Sequence, residues 1–204
     1  MRILSIRRGR LVATLTDHRE PVLGITFTPD GEHILSCSKD KTIRRATCAG
    51  QDCRIVATFR KVPNALAISP NGQLLAVGLA DHSVRIMQTA NWAEVHNLPF
   101  HSDVVTAVAF SPKGNLVASG SGDCTVRIID AETGDQRHCL STHTKEIFSV
   151  AFSPDGALIG TGSRDKTARL FDTKTGHEMY CIADAHRDHI KAVCFTHTGC
   201  AAGG

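Results

Sequence analysis

Three residue types that could carry out hydrolysis recur together in this chain. His18, Ser36 and Asp40 stand 18 and then 4 residues apart, and the same set returns as His101, Ser119 and Asp123. A third copy, His143, Thr161 and Asp165, keeps both spacings with Thr in place of Ser. A hydroxyl, an imidazole and a carboxylate are the parts of a nucleophile, its base and an orienting acid. An active site, however, is needed once, and this set appears three times in register. A buried imidazole needs partners on both ring nitrogens, which a hydroxyl and a carboxylate can supply. The expectation is therefore structural, with no catalytic residue assigned and no enzyme activity expected.

Other chemistry is thinner. His186, His189 and His197 lie close in sequence, but no Cys or carboxylate spacing completes a zinc set, so no metal site is expected. The eight cysteines contain no CxxC, and Cys48 and Cys53 in the longest loop lack a partner pair. No GxxxxGK[ST] loop and no GxGxxG after a strand is present, so no cofactor is expected.

The elements that must position these residues repeat as well. FTPDG at 27–31 returns as ISPNG at 68–72, FSPKG at 110–114, FSPDG at 152–156 and FTHTG at 195–199. The turn glycines Gly31, Gly72, Gly114, Gly156 and Gly199 step by 41 to 43 residues. Asp40, Asp81, Asp123 and Asp165 keep the same phase, and His18, His101, His143 and His186 each lie 13 residues before a turn glycine. Phe59 takes that slot in the second repeat. Short β-branched and aromatic runs such as TAVAF and SVAFS end at the Pro-x-Gly turn, a strand signal. Second runs (NLVASGS, ALIGTGS), third runs (TVRIID, TARLFD) and weaker fourth runs (RHCL, EMYCI) follow. Four strands in about 42 residues is the period of a propeller blade, whose faces are covered only by stacking on neighbours.

In these motifs the chain resembles the WD40-repeat β-propellers over essentially its whole length. The family's Trp-Asp corresponds to Ile129-Asp130 and Phe171-Asp172, while Ala46 and Met87 hold the Trp slot elsewhere, and the sole Trp92 falls in a loop. The resemblance implies an all-β fold of four-stranded antiparallel blades. It also implies that each His–Ser/Thr–Asp set ties the loop before a first strand to the turn after the second. The second repeat, with Phe59, Val77 and Met87 in the network slots, must rely on Leu66, Ile68, Leu74, Leu75, Val84 and Ile86. Arg44, Arg85, Arg127 and Arg169 keep phase in the third strands and read as solvated or paired between blades.

By the same resemblance, the loops joining blades and the turns carrying the Asp form a rim that takes protein or peptide partners. Candidate rim residues are Leu23, Thr106, Phe148 and Lys191 at first-strand starts, Glu146 two positions earlier, and Lys39 and Arg164 before the turn Asp. Phe148 falls where other repeats have Asn, Thr or Lys, so it is either a partner anchor or packed sideways on the next blade. The function implied is a non-catalytic scaffold in a multiprotein complex. The alternative is a subunit of a ribonucleoprotein or ribosome-biogenesis assembly, with Arg7, Arg8 and Arg10 touching RNA. Three arginines in one loop read first as a solvated turn, so nucleic acid is the secondary partner.

Length and composition fit this reading. The chain has 204 residues, a net charge of +3, 42% hydrophobic residues and one Trp. Those proportions exclude a disordered tail, and no apolar run approaches the roughly 18–20 residues of a membrane helix. MRILSIRRGR lacks the apolar core of a secretory signal, which with unpaired cysteine spacing points to an intracellular protein, cytoplasmic or nuclear. No membrane and no small-molecule substrate is expected. The repeats span 11–53, 54–94, 95–136, 137–178 and an incomplete 179–204, in a single domain covering 1–204. Residues 1–10 supply a third strand and loop of a preceding or closing blade. Five blades' worth of strands result, read either as a piece of a seven-bladed ring or as a closed five-bladed one.

Overall fold

In a computed structural model of the chain, residues 1–5, 10–183 and 188–196 are described. A hairpin of β1 (Arg2–Ser5) and β2 (Arg10–Thr14) precedes four complete four-stranded antiparallel sheets. The first sheet holds β3 (Val22–Phe27), β4 (His33–Ser38), β5 (Thr42–Thr47) and β6 (Arg54–Thr58). The second holds β7 (Pro63–Ile68), β8 (Leu74–Leu79), β9 (Val84–Gln88) and β10 (Glu94–Leu98). The third holds β11 (Val105–Phe110), β12 (Leu116–Ser121), β13 (Val126–Asp130) and β14 (Gln136–Leu140). The fourth holds β15 (Ile147–Phe152), β16 (Leu158–Ser163), β17 (Ala168–Asp172) and β18 (Glu178–Ile182). Each is a meander in which sequence neighbours pair, as expected of propeller blades.

The turns form as their residues dictate. Gly114 adopts a φ of +75°, which a side chain would resist, and its N–H donates to the Ser111 carbonyl at 2.8 Å. Trp92, a loop residue by sequence, occupies the turn slot that Gly50, Gly134 and Gly176 fill in other blades. It accepts a φ of +60° there. Its indole packs against the cluster of Leu79 and Met87, so burial offsets the backbone cost.

No sheet has a core of its own. One buried cluster joins Leu35, Cys37 and Ile43 of the first blade to Leu66, Leu75, Val77 and Met87 of the second. Another joins Val84, Ile86 and Leu98 to Val105, Val117 and Ile129, and a third joins Ile128 and Leu140 to Ile147, Ile159 and Phe171. Second strands are therefore covered on both faces, and only small residues fit where the next blade crosses. A Cβ added at Gly120 would lie 2.5 Å from Ile147 Cγ2.

One expected strand differs. Lys191–Phe195, read as a first strand, has no ladder partner among the described residues and carries no strand assignment. It nevertheless follows the course of one, with the Val193 N–H donating to Ser149 Oγ at 3.1 Å and Phe195 reaching Gly160.

Candidate functional site

Because strands alternate in direction, each Asp-bearing turn and each blade-joining loop emerge on the same side of the molecule. A backbone hydrogen bond ties them together in every blade. The amides of Lys39, Ala80, Gly122 and Arg164 donate to the carbonyls of Pro21, Val62, Val104 and Glu146 at 3.0, 2.9, 2.9 and 2.9 Å. The two positional series singled out in the sequence thus meet directly and build the rim.

Beneath that rim lie the His–hydroxyl–Asp sets. His101 Nδ1 is 2.9 Å from Asp123 Oδ2 and its Nε2 is 2.8 Å from Ser119 Oγ. His18 repeats this with Asp40 and Ser36, at 2.8 Å for both contacts. His143 does so with Asp165 at 2.8 Å and Thr161 at 2.7 Å. The same Asp oxygen that meets His143 also accepts the Thr144 N–H at 3.1 Å, while its Oδ1 accepts the Thr167 hydroxyl at 2.7 Å. Loop, second strand and turn are joined through one carboxylate.

The charge states follow from these contacts. Burial by itself would raise the Asp123 carboxyl. Hydrogen bonds from Thr125 and the Ser102 amide outweigh it and bring the pKa down to about 2. Asp165 and Asp40 are held still further below the ordinary carboxylate range, again against burial, by hydroxyl, imidazole and amide donors. Burial lowers His101 and His143, opposed only in part by their Asp partners. A neutral imidazole facing a carboxylate is therefore the resting state in those two blades.

The order of atoms, hydroxyl to imidazole to carboxylate, is that of a hydrolase, but the setting is not. Ser119 and Thr161 are fully buried at 0% exposure, sealed between strands where no substrate carbonyl can approach. The second blade lacks the set, as expected. Asp81 there takes the Ser83 hydroxyl and meets Arg85 at 3.4 Å, while Phe59 packs into the neighbouring apolar cluster.

At the rim surface, Lys39, Arg164 and Lys191 are exposed, and Glu146, Thr106 and Phe148 are half-buried. Arg164 pairs with Glu146 at 3.6 Å. Asn64 and Thr106 donate to the Val105 and Ile147 carbonyls of the next blade. Phe148 has no donor to offer in that slot. Instead Lys191 Nζ sits 4.3 Å from the centre of its ring, and the His189 ring lies 6.1 Å away. Leu23 is exposed at the start of β3.

Three of the third-strand arginines, expected to be solvated or paired between blades, pair instead within their own blades. Arg169 reaches Glu178 at 2.8 Å, and Arg85 and Arg127 reach Glu94 and Gln136, all within one blade. The ladder pairs Arg85, Arg127 and Arg169 with Asn97, Cys139 and Cys181, and each long side chain runs diagonally to the opening residue of the fourth strand, a reach that no sequence period reveals. Sequence reasoning also missed Asp30, Glu32 and His33, whose ligand atoms lie within 4.8 Å of one another in the β3–β4 turn. The Asp30 carboxylate there is already bonded to Thr28 and the Glu32 amide. Of the histidines considered for a metal, His189 lies near Asp188 at 3.7 Å, while His186 and His197 fall outside the described residues, as do Arg7 and Arg8. No helix of the described residues is long and apolar enough to cross a membrane.

Stacked four-stranded meanders braced by a repeated His–Asp network define a β-propeller-type repeat protein. The WD domain, G-beta repeat model matches residues 9–44, 47–87, 92–130 and 134–172, and the chain belongs to that family. Among curated proteins it is similar to the periodic tryptophan protein 2 homolog of Dictyostelium discoideum, 26% identical over 105 residues. That match covers 50% of this chain and 11% of the relative. It is also similar to the nuclear distribution protein nudF of Emericella nidulans, 31% identical over 105 residues, or 39% of this chain and 24% of that protein. A 45-residue stretch is 47% identical to human WD repeat and SOCS box-containing protein 1. The chain thus spans about a tenth to a quarter of the length of these relatives.

Proposed function

We infer that this chain is a non-catalytic scaffold that takes a protein or peptide partner on the rim, within a multiprotein complex. The observation that carries the reading is the coupling of loop to turn in every blade. The amide-to-carbonyl bonds and the buried networks hold the rim backbone still, so exposed side chains are presented without an ordering cost at binding. The chemically reactive-looking residues are spent on that bracing. Burial and then the Asp123, Asp165, Asp103 and Glu146 carboxylates push the Cys124 thiol on the rim up, which disfavours its thiolate.

The binding residues are Lys39, Arg164, Glu146, Lys191 and Phe148, with Leu23 and Thr106 at the inner edge. Free cysteines, with Cys37 fully buried, suit the reducing cytoplasm or nucleus. The test is affinity capture with the folded chain and its Phe148→Ala variant, with co-purifying chains identified. Loss of the partner with an unchanged circular dichroism spectrum is expected, and undiminished capture would remove Phe148 from the binding set. Retention on RNA that falls steeply with salt, unaffected by Phe148→Ala, would favour a ribonucleoprotein role instead.

A further inference from the structure

The seams between complete blades differ at the rim. His101 and His143 close the second-to-third and third-to-fourth seams, each 6% exposed and bonded to a buried hydroxyl. At the first-to-second seam Phe59 stands in that slot with no hydrogen bond to offer, and Val77 replaces the hydroxyl. A cleft of about 390 Å³ opens there, lined among others by Phe59, Arg60, Asp81, Met87, Trp92 and Glu94. That volume lies at the lower end of the roughly 300–1,000 Å³ of ligand pockets. Its walls are apolar at Phe59, Met87 and the sole Trp92, while Arg85 stands between the Asp81 and Glu94 carboxylates.

The rim beside this cleft is basic. Arg60 and Lys61 follow Phe59, where the corresponding pairs elsewhere are Arg19 and Glu20, Ser102 and Asp103, and Thr144 and Lys145. The Phe59 amide donates to the Lys41 carbonyl at 2.9 Å, and the Arg19 amide donates to the Asp40 carboxylate, between Lys39 and Lys41, at 3.1 Å. Those bonds gather Arg19, Lys39, Lys41, Arg60 and Lys61 in one sector. All five are exposed, and none has an ion-pair partner among the described residues. Asp17 and Glu20 are the exposed carboxylates of the same loop. In the fourth blade Arg164 is paired with Glu146 instead. Arg164 and Lys166, the counterparts of Lys39 and Lys41, stay exposed with the third blade packed alongside, so exposure at these positions belongs to the rim.

On the premise that the rim binds protein, we propose that this sector docks an acidic peptide segment of the partner. Its carboxylates meet the five cations, and one large apolar side chain enters the cleft against Phe59, Met87 and Trp92. Cations alone would also suit a phosphate backbone, but the cleft favours a peptide. Asp81 and Glu94 repel phosphates, whereas they can accept main-chain N–H groups, which a phosphodiester chain lacks. Unpaired rim cations act mainly by steering association, so binding is sensitive to salt.

The probe is a short synthetic peptide of aspartates and glutamates around one central phenylalanine, labelled for fluorescence anisotropy and titrated against the full chain. Saturable binding that weakens with salt is expected, together with a shift in the emission of Trp92, the only tryptophan. Arg60→Glu combined with Lys61→Glu should weaken binding roughly tenfold with the circular dichroism spectrum unchanged. The same charge change on the opposite edge, Lys113→Glu with Lys174→Glu, should leave it as it was. If the first pair disturbs the spectrum, Arg19→Glu with Lys39→Glu replaces it. Serine in place of the peptide's phenylalanine should abolish the Trp92 shift. No saturable binding, equal weakening by both charge pairs, an unmoved Trp92 emission, or tighter binding of oligouridylate than of the peptide would each overturn the proposal. A failed titration leaves the capture test at Phe148 intact, so the two readings fail separately.

Discussion

A carboxylate with four donors, a buried imidazole among them, is worth more than one with three and no imidazole, and the repeats offer both in one chain. Replacing Asp165 with Ala strips partners from His143, Thr167 and two backbone amides, leaving buried polar groups unpaired at about 2–3 kcal/mol in total. Asp81, with no His, should cost no more than about 1 kcal/mol. At roughly 2–4 °C per kcal/mol for a chain of this size, a thermal scan separates the two variants, and equal losses would remove the network from the account. The same groups set a pH dependence. His101, His143, Asp123 and Asp165 are all lowered in the folded state, so the unfolded chain binds more protons. The melting temperature should therefore hold above the ordinary His range, fall as pH drops below about 6.5, and fall again through the carboxylate range. A melting temperature rising on acidification would reverse the assignment of neutral imidazoles. These residues were legible in the sequence because their spacing recurs in phase. The surroundings of Phe148 were not, since Lys191 reaches it from a different repeat, 43 positions on, through side-chain geometry that no period encodes.

At the level of the element, the strands were readable because each runs from a β-branched stretch into a turn whose glycine or proline admits one backbone path. What escaped was pairing across the sheet. Arg169 meets Glu178 diagonally across a register that pairs it with Cys181, and the 191–195 run has strand composition but no ladder partner among the described residues. Second strands are where sequence and packing meet most tightly. Gly120 faces Ile147 with no room for a branched side chain, so Gly120→Val should destabilise by about 1–3 kcal/mol through overpacking. Chemical denaturation checks this, and a neutral result would mean that the third and fourth blades are not in close contact.

The whole molecule is an arc of blades whose apolar cores lie between sheets rather than within them, so its properties come from stacking and from the edges it presents. One edge carries braced turns with exposed charge, while the opposite edge carries the Pro-x-Gly turns and the third-to-fourth turns. The blade count and the repeat phase could be read from the sequence, but which faces lie open could not, because coverage depends on what packs against each end. On the proposed function, the rim is the side that meets a partner. Lysine-directed cross-linking of the chain to its captured partner tests this most directly. Lys39, Lys145, Lys166 and Lys191 on the rim should carry the cross-links, and Lys113 and Lys174, exposed on the opposite edge, should not. Cross-links concentrated at Lys113 and Lys174, with the rim lysines silent, would contradict it.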